Sequence, residues 1–233
     1  MKVTTSTLSN VLIIEPQVFG DARGFFYESF NEREFAAQTG VDAHFVQDNH
    51  SRSQKGVLRG LHYQIENTQG KVVRVTAGEV LDVAVDLRRS SPNFGRWASI
   101  RLSAENNRQL WIPPGFGHGF VVLSDFAEFL YKTTDYYNPA AERCVRWDDP
   151  DLAIDWQLER TPLLSPKDQN GKLVNHAELF PGRSWSAAVT ARWRRHCSRR
   201  WARSVNCTSS VATSSTSRTP SASPGRCVPS PPT

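Results

Sequence analysis

Cysteine is almost absent from the part of this chain that can fold. Residues 1–182 contain Cys144 alone, and the other three cysteines stand at positions 197, 207 and 227. One thiol implies no disulfide framework. No apolar run approaches the length that spans a bilayer, and the opening MKVTTSTLSN lacks the basic and apolar regions of a secretory leader. The expectation is a cytoplasmic protein without a membrane partner. Internal repeats are lacking as well, which leaves a globular domain with its own core, and a hydrophobic content of 39% is enough to build one.

Acids are missing from the C-terminal stretch. Residues 183–233 hold nine Arg and no Lys, Asp or Glu. Of the 28 basic and 23 acidic side chains, 19 basic and all 23 acidic ones precede it, so the body carries −4 and the tail +9. The overall pI near 9.2 is a property of the tail and gives the body no claim on nucleic acid. Ser, Thr, Arg and Pro dominate the tail, and such a composition cannot bury enough apolar surface to fold. Trp193, Cys197 and Trp201 at spacing four could stripe a basic helix. The composition favours disorder or an out-of-frame translation instead, so residues 1–182 are expected to be the folded domain and residues 183–233 a disordered tail.

What is present in the body is a succession of short strands. Residues 7–15 contain an apolar run ended by Pro16, and the loop DARGFFYESF leads into a further strand. Residues 31–39 open with a capping Asn, carry acids in the first turn and stop at Gly40, which predicts the one good helix. Segments 45–49, 57–64, 71–77, 80–87, 97–102, 109–112, 119–123 and 127–134 are rich in Val, Ile, Leu, Phe and Tyr between Gly, Pro, Asn and Ser turns. That spacing predicts an all-β sandwich or barrel with few short helices. In 80–87 one face is aliphatic and the other reads Val80, Asp82, Ala84, Asp86, which suits either solvent or the inside of a polar pocket. After Tyr136 the sequence reads as loop, with SPKD at 165–168 as a turn.

The stretch GVLRGLHYQIENTQGK at 56–71 sets Arg59, His62 and Lys71 in an apolar frame. Strict alternation would send Arg59 and His62 to opposite faces, and a bulge near Gly60 would let both face one pocket. Gly56-x5-His62-x-Gln64 and Pro113-x-Gly115-x2-His118 resemble the two strand motifs of the cupin superfamily, jelly-roll barrels that usually hold a metal. Gln64 and Val122 stand where those motifs place His and Asn, and two imidazoles with an amide make a poor divalent site. No metal and no redox cofactor are expected, and a metal-dependent oxygenase becomes the third reading.

A closer resemblance is carried by DARGFFYESF (21–30), QDNHS (47–51), GVLRGLHYQ (56–64), QGKVVRV (69–75), SPNFGRW (91–97), IPPGFGHGF (112–120), the Tyr131 strand, Tyr136-Tyr137-Asn138-Pro139 with Glu142, and SPKD. In this order and register they resemble the dTDP-4-dehydrorhamnose 3,5-epimerases, a metal-free cupin branch, over residues 11–168. The resemblance implies a cupin jelly-roll β-barrel, a dTDP-4-keto-6-deoxy sugar substrate, a homodimer, and a place in dTDP-L-rhamnose synthesis.

It also implies roles. His62 would be the base with Asp168 as its partner, Lys71 would steady the enolate oxygen, and Tyr131 would return the proton from the opposite face. Arg23 and Arg59 match diphosphate positions, and Tyr137 matches the position that stacks on the thymine. Glu28, Gln47, Asp48 and Asn49 match nucleotide or sugar contacts, His118 a sugar contact, and Glu142 and Lys167 further binding positions. The runner-up is an epimerase acting at C3 or C5 only. A non-catalytic nucleotide-sugar-binding cupin is the alternative from another class, but it would be expected to lose the base or the acid.

Overall fold

The computed structural model describes residues 1–180. Along these run β1 (Lys2–Thr5), β2 (Leu12–Glu15), β3 (Phe19–Asp21), β4 (Gly24–Phe26), α1 (Glu32–Thr39), β5 (Gln47–Gln54), β6 (Leu58–Gln64), β7 (Lys71–Ala77), β8 (Glu79–Asp86), β9 (Trp97–Ser103), β10 (Gln109–Ile112), β11 (Phe116–Val122), β12 (Phe126–Thr133), β13 (Glu142–Val145) and α2 (Pro166–Gln169). Two sheets form, ordered β1-β2-β10-β7-β12-β5 and β13-β6-β11-β8-β9, with β3 and β4 as a separate hairpin. Every pairing within them is antiparallel, as in a double-sheet jelly roll. No helix among the described residues is long and apolar enough to cross a membrane.

Three apolar layers explain why so many strands read as nearly continuous hydrophobic runs. Val73, Val75, Val80, Ala84, Leu110, Phe120 and Phe129 fill the space between the sheets. Their strand neighbours Leu81, Val83 and Val85 point the other way, where Trp156, Val174, Leu179 and Phe180 cover the outside of the five-stranded sheet. Outside the six-stranded sheet, Phe35 of α1 packs on Ile14, Val72 and Trp111. Burying each large side chain stabilises by about 1.5–3 kcal/mol, so both sheets are two-sided and little of either is left for solvent.

The helix begins and ends where expected, with Asn31 accepting from the amides of Arg33 and Glu34 and Gly40 in a left-handed conformation. Several strands depart from expectation. β5 runs through the polar QDNHSRSQ because it is an edge strand whose side chains alternate between half-buried and exposed, with Ser53 buried near its end. β11 starts three residues early, inside the Gly-rich turn: a Cβ on Gly119 would lie 2.6 Å from the Arg59 carbonyl, so the strand can pass this close only as glycine. β1 and β13 were not anticipated. β13 lies in the stretch read as loop and is held by pairing with β6, a partner about eighty residues away in sequence. The SPKD turn is a one-turn helix, α2, closed by a Ser165–Asp168 capping box. Residues 183–233, with the Trp193 and Trp201 stripe, lie outside the described residues.

Candidate active site

A cavity of about 230 Å³ opens between the sheets, lined by Arg59, His62, His118 and Phe120 from one and by Asn49, Ser51, Lys71, Phe129 and Tyr131 from the other. It is smaller than the ~300–1,000 Å³ of pockets that enclose a whole drug-sized ligand, and suits one ring rather than an entire nucleotide sugar. A second cavity of about 280 Å³ lies between the β3–β4 hairpin and α1. Its lining holds Phe19, Phe26, Phe30 and Phe35 with Glu28 and Glu34, but no histidine, lysine or arginine, so the chemistry belongs to the first.

The bulge predicted near Gly60 is present. His62 pairs with His118 and Arg59 with Phe120, so three steps along β6 oppose two along β11. This slip brings Arg59 and His62 to the same cavity. At the bulge the Gly60 amide donates to Asp168 Oδ1 at 2.9 Å. A Cβ on Gly60 would sit 3.2 Å from that oxygen, so glycine permits the approach. The same oxygen meets His62 Nε2 at 2.8 Å, while Oδ2 accepts from Ser165 Oγ at 2.6 Å and from the Ser165 amide at 3.2 Å. Burial opposes ionisation of Asp168, but hydrogen bonds from His62, Ser165 and Gly60 outweigh it and bring the pKa down to about 2.

An ionised Asp168 can only accept, so Nε2 carries the proton it receives, and in the neutral ring this leaves the lone pair on Nδ1. Among the described residues, Nδ1 is the one buried side-chain nitrogen or oxygen without a hydrogen-bond partner. Such an orphan costs about 1–3 kcal/mol and is tolerated mostly at functional positions. Glu142 Oε1 lies 3.7 Å from it. The other Glu142 oxygen is held by Lys167 at 2.6 Å and by the Tyr137 hydroxyl at 2.9 Å. Burial works against the Glu142 charge, yet those two hydrogen bonds and His62 lower its pKa.

The facing wall is arranged differently. Lys71 Nζ stands 6.0 Å from the Tyr131 ring centre and makes no hydrogen bond or ion pair among the described residues. Desolvation in the cavity brings its pKa down to about 8 against the pull of Asp82 and Glu142. Burial raises the pKa of Tyr131, with Arg59 opposing, so its phenol stays protonated at neutral pH. Phe120 and Phe129 stack at 4.2 Å beneath these groups and keep the floor apolar.

The remaining predicted residues divide into two groups. Gln47, Asn49, Tyr137, Glu142 and Lys167 gather near the cavity mouth: Gln47 donates to Asn49 at 2.9 Å and accepts from the Tyr137 amide at 3.0 Å. Arg59 donates to Ser53 Oγ at 3.2 and 3.0 Å, and exposed Asp48 pairs with Lys132 at 2.9 Å. Arg23 and Glu28 do not line this cavity. Arg23 pairs with Asp21 on the β3–β4 hairpin, and Glu28 accepts from Asn31 at 3.2 Å and borders the second cavity. Asp82 was missed as a site residue; it is fully buried and lies 3.0 Å from His118 Nε2. Its position on the acidic face of 80–87 was the available signal.

Among the described residues one metal-sized cluster occurs, His62, Cys144 and Asp168, whose ligand atoms lie within 4.8 Å of one another. Burial pushes the Cys144 thiol up to about 12, and His62 and Asp168 already satisfy each other, so this donor set suits a metal poorly. Gln64 spends its amide on the carbonyls of Asn67 and Tyr136 and the amide of Asn138, and Val122 is core.

An imidazole nitrogen with a lone pair on one wall and a protonated phenol on the other can take a proton from one side of a bound ring and return one to the opposite side, and the cation beside the phenol can steady the charge that appears meanwhile. Fold and site together define a cupin-type jelly-roll isomerase. The sequence profile described as dTDP-4-dehydrorhamnose 3,5-epimerase matches residues 5–176. A Pseudomonas aeruginosa dTDP-4-dehydrorhamnose 3,5-epimerase is 62% identical over 181 residues, 78% of this chain and 100% of that protein. The Shigella flexneri protein of that name is 57% identical over 181 residues, 77% of this chain and 99% of its own. A Legionella pneumophila crystal structure, described as dTDP-6-deoxy-D-glucose-3,5-epimerase in complex with dTDP-4-keto-L-rhamnose, is 54% identical with a TM-score of 0.76, covering 77% of this chain and 97% of that one. The chain belongs to the dTDP-4-dehydrorhamnose 3,5-epimerase family.

Proposed function

We propose that the chain converts dTDP-4-dehydro-6-deoxy-D-glucose to dTDP-4-dehydro-L-rhamnose, with His62 as base, Tyr131 as acid and Lys71 beside the enolate oxygen. The 4-keto group acidifies the hydrogens on C3 and C5, but such carbon acids remain weak, and the enolate needs a cation as the proton leaves. The observation that carries the reading is the His62 ring, pinned at Nε2 by Asp168 and unpartnered at buried Nδ1. A proton taken onto Nδ1 creates an imidazolium whose charge is met by Asp168 on one side and Glu142 on the other.

Tyr131 belongs to the six-stranded sheet and His62 to the five-stranded one, so a ring between the sheets meets the base on one face and the phenol on the other. Removal from one face and return to the opposite face is inversion. The cavity accommodates the sugar, and the dTDP extends outward past Arg59 toward Tyr137, whose exposed ring stacks on the thymine, with Gln47, Asp48, Asn49, His118, Glu142 and Lys167 as further contacts. Arg23 and Glu28 serve a site in a second copy: the hairpin that carries Arg23 exposes Phe19, Phe25 and Phe26, an apolar patch suited to a homodimer contact. The reading extends to a cytoplasmic role in dTDP-L-rhamnose synthesis.

The test is incubation with dTDP-4-keto-6-deoxyglucose in deuterated water, followed by NMR at C3 and C5. Deuterium at both carbons with the L-configured product is expected; deuterium at one carbon makes the chain a single-site epimerase, and none at either removes the activity.

A further inference from the structure

At the cavity wall stands a second histidine–carboxylate pair, His118 with Asp82, whose acid the roles above leave unused. His62 and His118 are cross-strand partners on β6 and β11, and Phe120 on β11 faces Asp82 on β8. His118 Nε2 lies 3.0 and 3.2 Å from the two Asp82 oxygens. Asp82 is fully buried and its side chain makes no other hydrogen bond among the described residues. A buried carboxylate with one neutral partner is costly to keep in an apolar interior, and this one lies among Val80, Ala84 and Phe120. A leucine or valine would satisfy the fold there, so packing does not account for it.

We propose that Asp82 is a positioning residue for the reaction, fixing the tautomer of His118 and acting from behind the wall on the Lys71 side chain, which lines the same cavity as His118. The inference rests on the reading that Lys71 faces the developing enolate. The titratable groups that act on Lys71 and His118 come from every surrounding strand: Asp82 on β8, His62 on β6 and Glu142 on β13, while Tyr131 on β12 faces Lys71 and is itself influenced by Arg59. Only Asp82 and Glu142 among these are carboxylic acids. Glu142 pairs with Lys167 through one oxygen, whereas among the described residues Asp82 pairs only with His118 and with no lysine or arginine. Burial lowers the pKa of His118 against the pull of Asp82. The ring is therefore neutral, donates from Nε2 to Asp82 and presents Nδ1 as an acceptor for a sugar hydroxyl.

Asp82→Asn tests this, because the amide oxygen still accepts from Nε2 while the charge is gone. The Lys71 ε-carbon resonance, titrated by NMR, should show its midpoint falling from about 8 by on the order of one pH unit or more, and the alkaline limb of kcat/KM should move down with it. An unmoved midpoint and limb would overturn the proposal. In the unaltered protein, ¹⁵N shifts should show His118 as the Nε2–H tautomer at neutral pH, and an imidazolium or Nδ1–H form would overturn it without any variant. Lack of turnover in the unaltered protein would instead count against the epimerase reading, since both NMR measurements proceed without substrate.

Discussion

The two walls of the cavity are built on opposite rules. On the five-stranded side each histidine is braced by a buried carboxylate, His62 by Asp168 at 2.8 Å and His118 by Asp82 at 3.0 Å. On the six-stranded side, the Lys71 and Tyr131 side chains have no hydrogen-bond partner among the described residues. A base must present a lone pair in one fixed tautomer, which bracing secures. A cation and an acid must give their hydrogen bonds to the substrate and its transition state, and prior partners would compete for them. One wall is organised before substrate arrives, and the other is completed by it.

The largest expected effect comes from removing the braced base. His62→Ala should abolish exchange at both carbons while dTDP affinity stays nearly unchanged, since Arg59 and Tyr137 lie toward the mouth; general acid–base catalysis is worth about 10²–10⁴-fold. Retained exchange at either carbon would end its role as sole base. Asp168→Asn should cost less in turnover, because the ring remains while its bracing weakens. It also has a stability signature: a carboxyl whose folded pKa is about 2, below an ordinary value of about 4, contributes fully above pH ~4. That contribution is lost as pH falls through about 2. The difference in melting temperature between the two proteins should therefore shrink across that window, and a constant difference would contradict the assignment.

A smaller effect belongs to the open wall. The Lys71 charge is lost as pH rises through about 8, so kcat/KM should fall on that alkaline limb. A profile flat to pH 10 would mean that the ammonium is not needed. The smallest effect is expected from the tail: deleting residues 183–233 should leave turnover and melting temperature unchanged, whereas a fall of several degrees would show that it packs on the barrel.

Much of this arrangement was legible in the chain because its causes are local. The α1 caps, the apolar strand segments and the Arg59–His62 conflict that a bulge would resolve could all be read from neighbouring residues. What escaped is set by distant partners. β13 exists because β6 lies beside it, and QDNHSRSQ is a strand because β12 pairs with it. Alternation placed Asp82 on the acidic face of its strand but could not say what covers that face; it proved to be His118 and the barrel interior. Arg23 and Glu28 match by motif, yet a single chain leaves them away from the cavity.

The division of labour between the walls is tested most directly by Tyr131→Phe in deuterated water, with solvent exchange at C3 and C5 and the configuration of the recovered sugar followed together. The braced wall is intact in this variant, so proton loss should persist in part while inversion fails. Full conversion to the L-configured product by the phenylalanine variant would contradict the account.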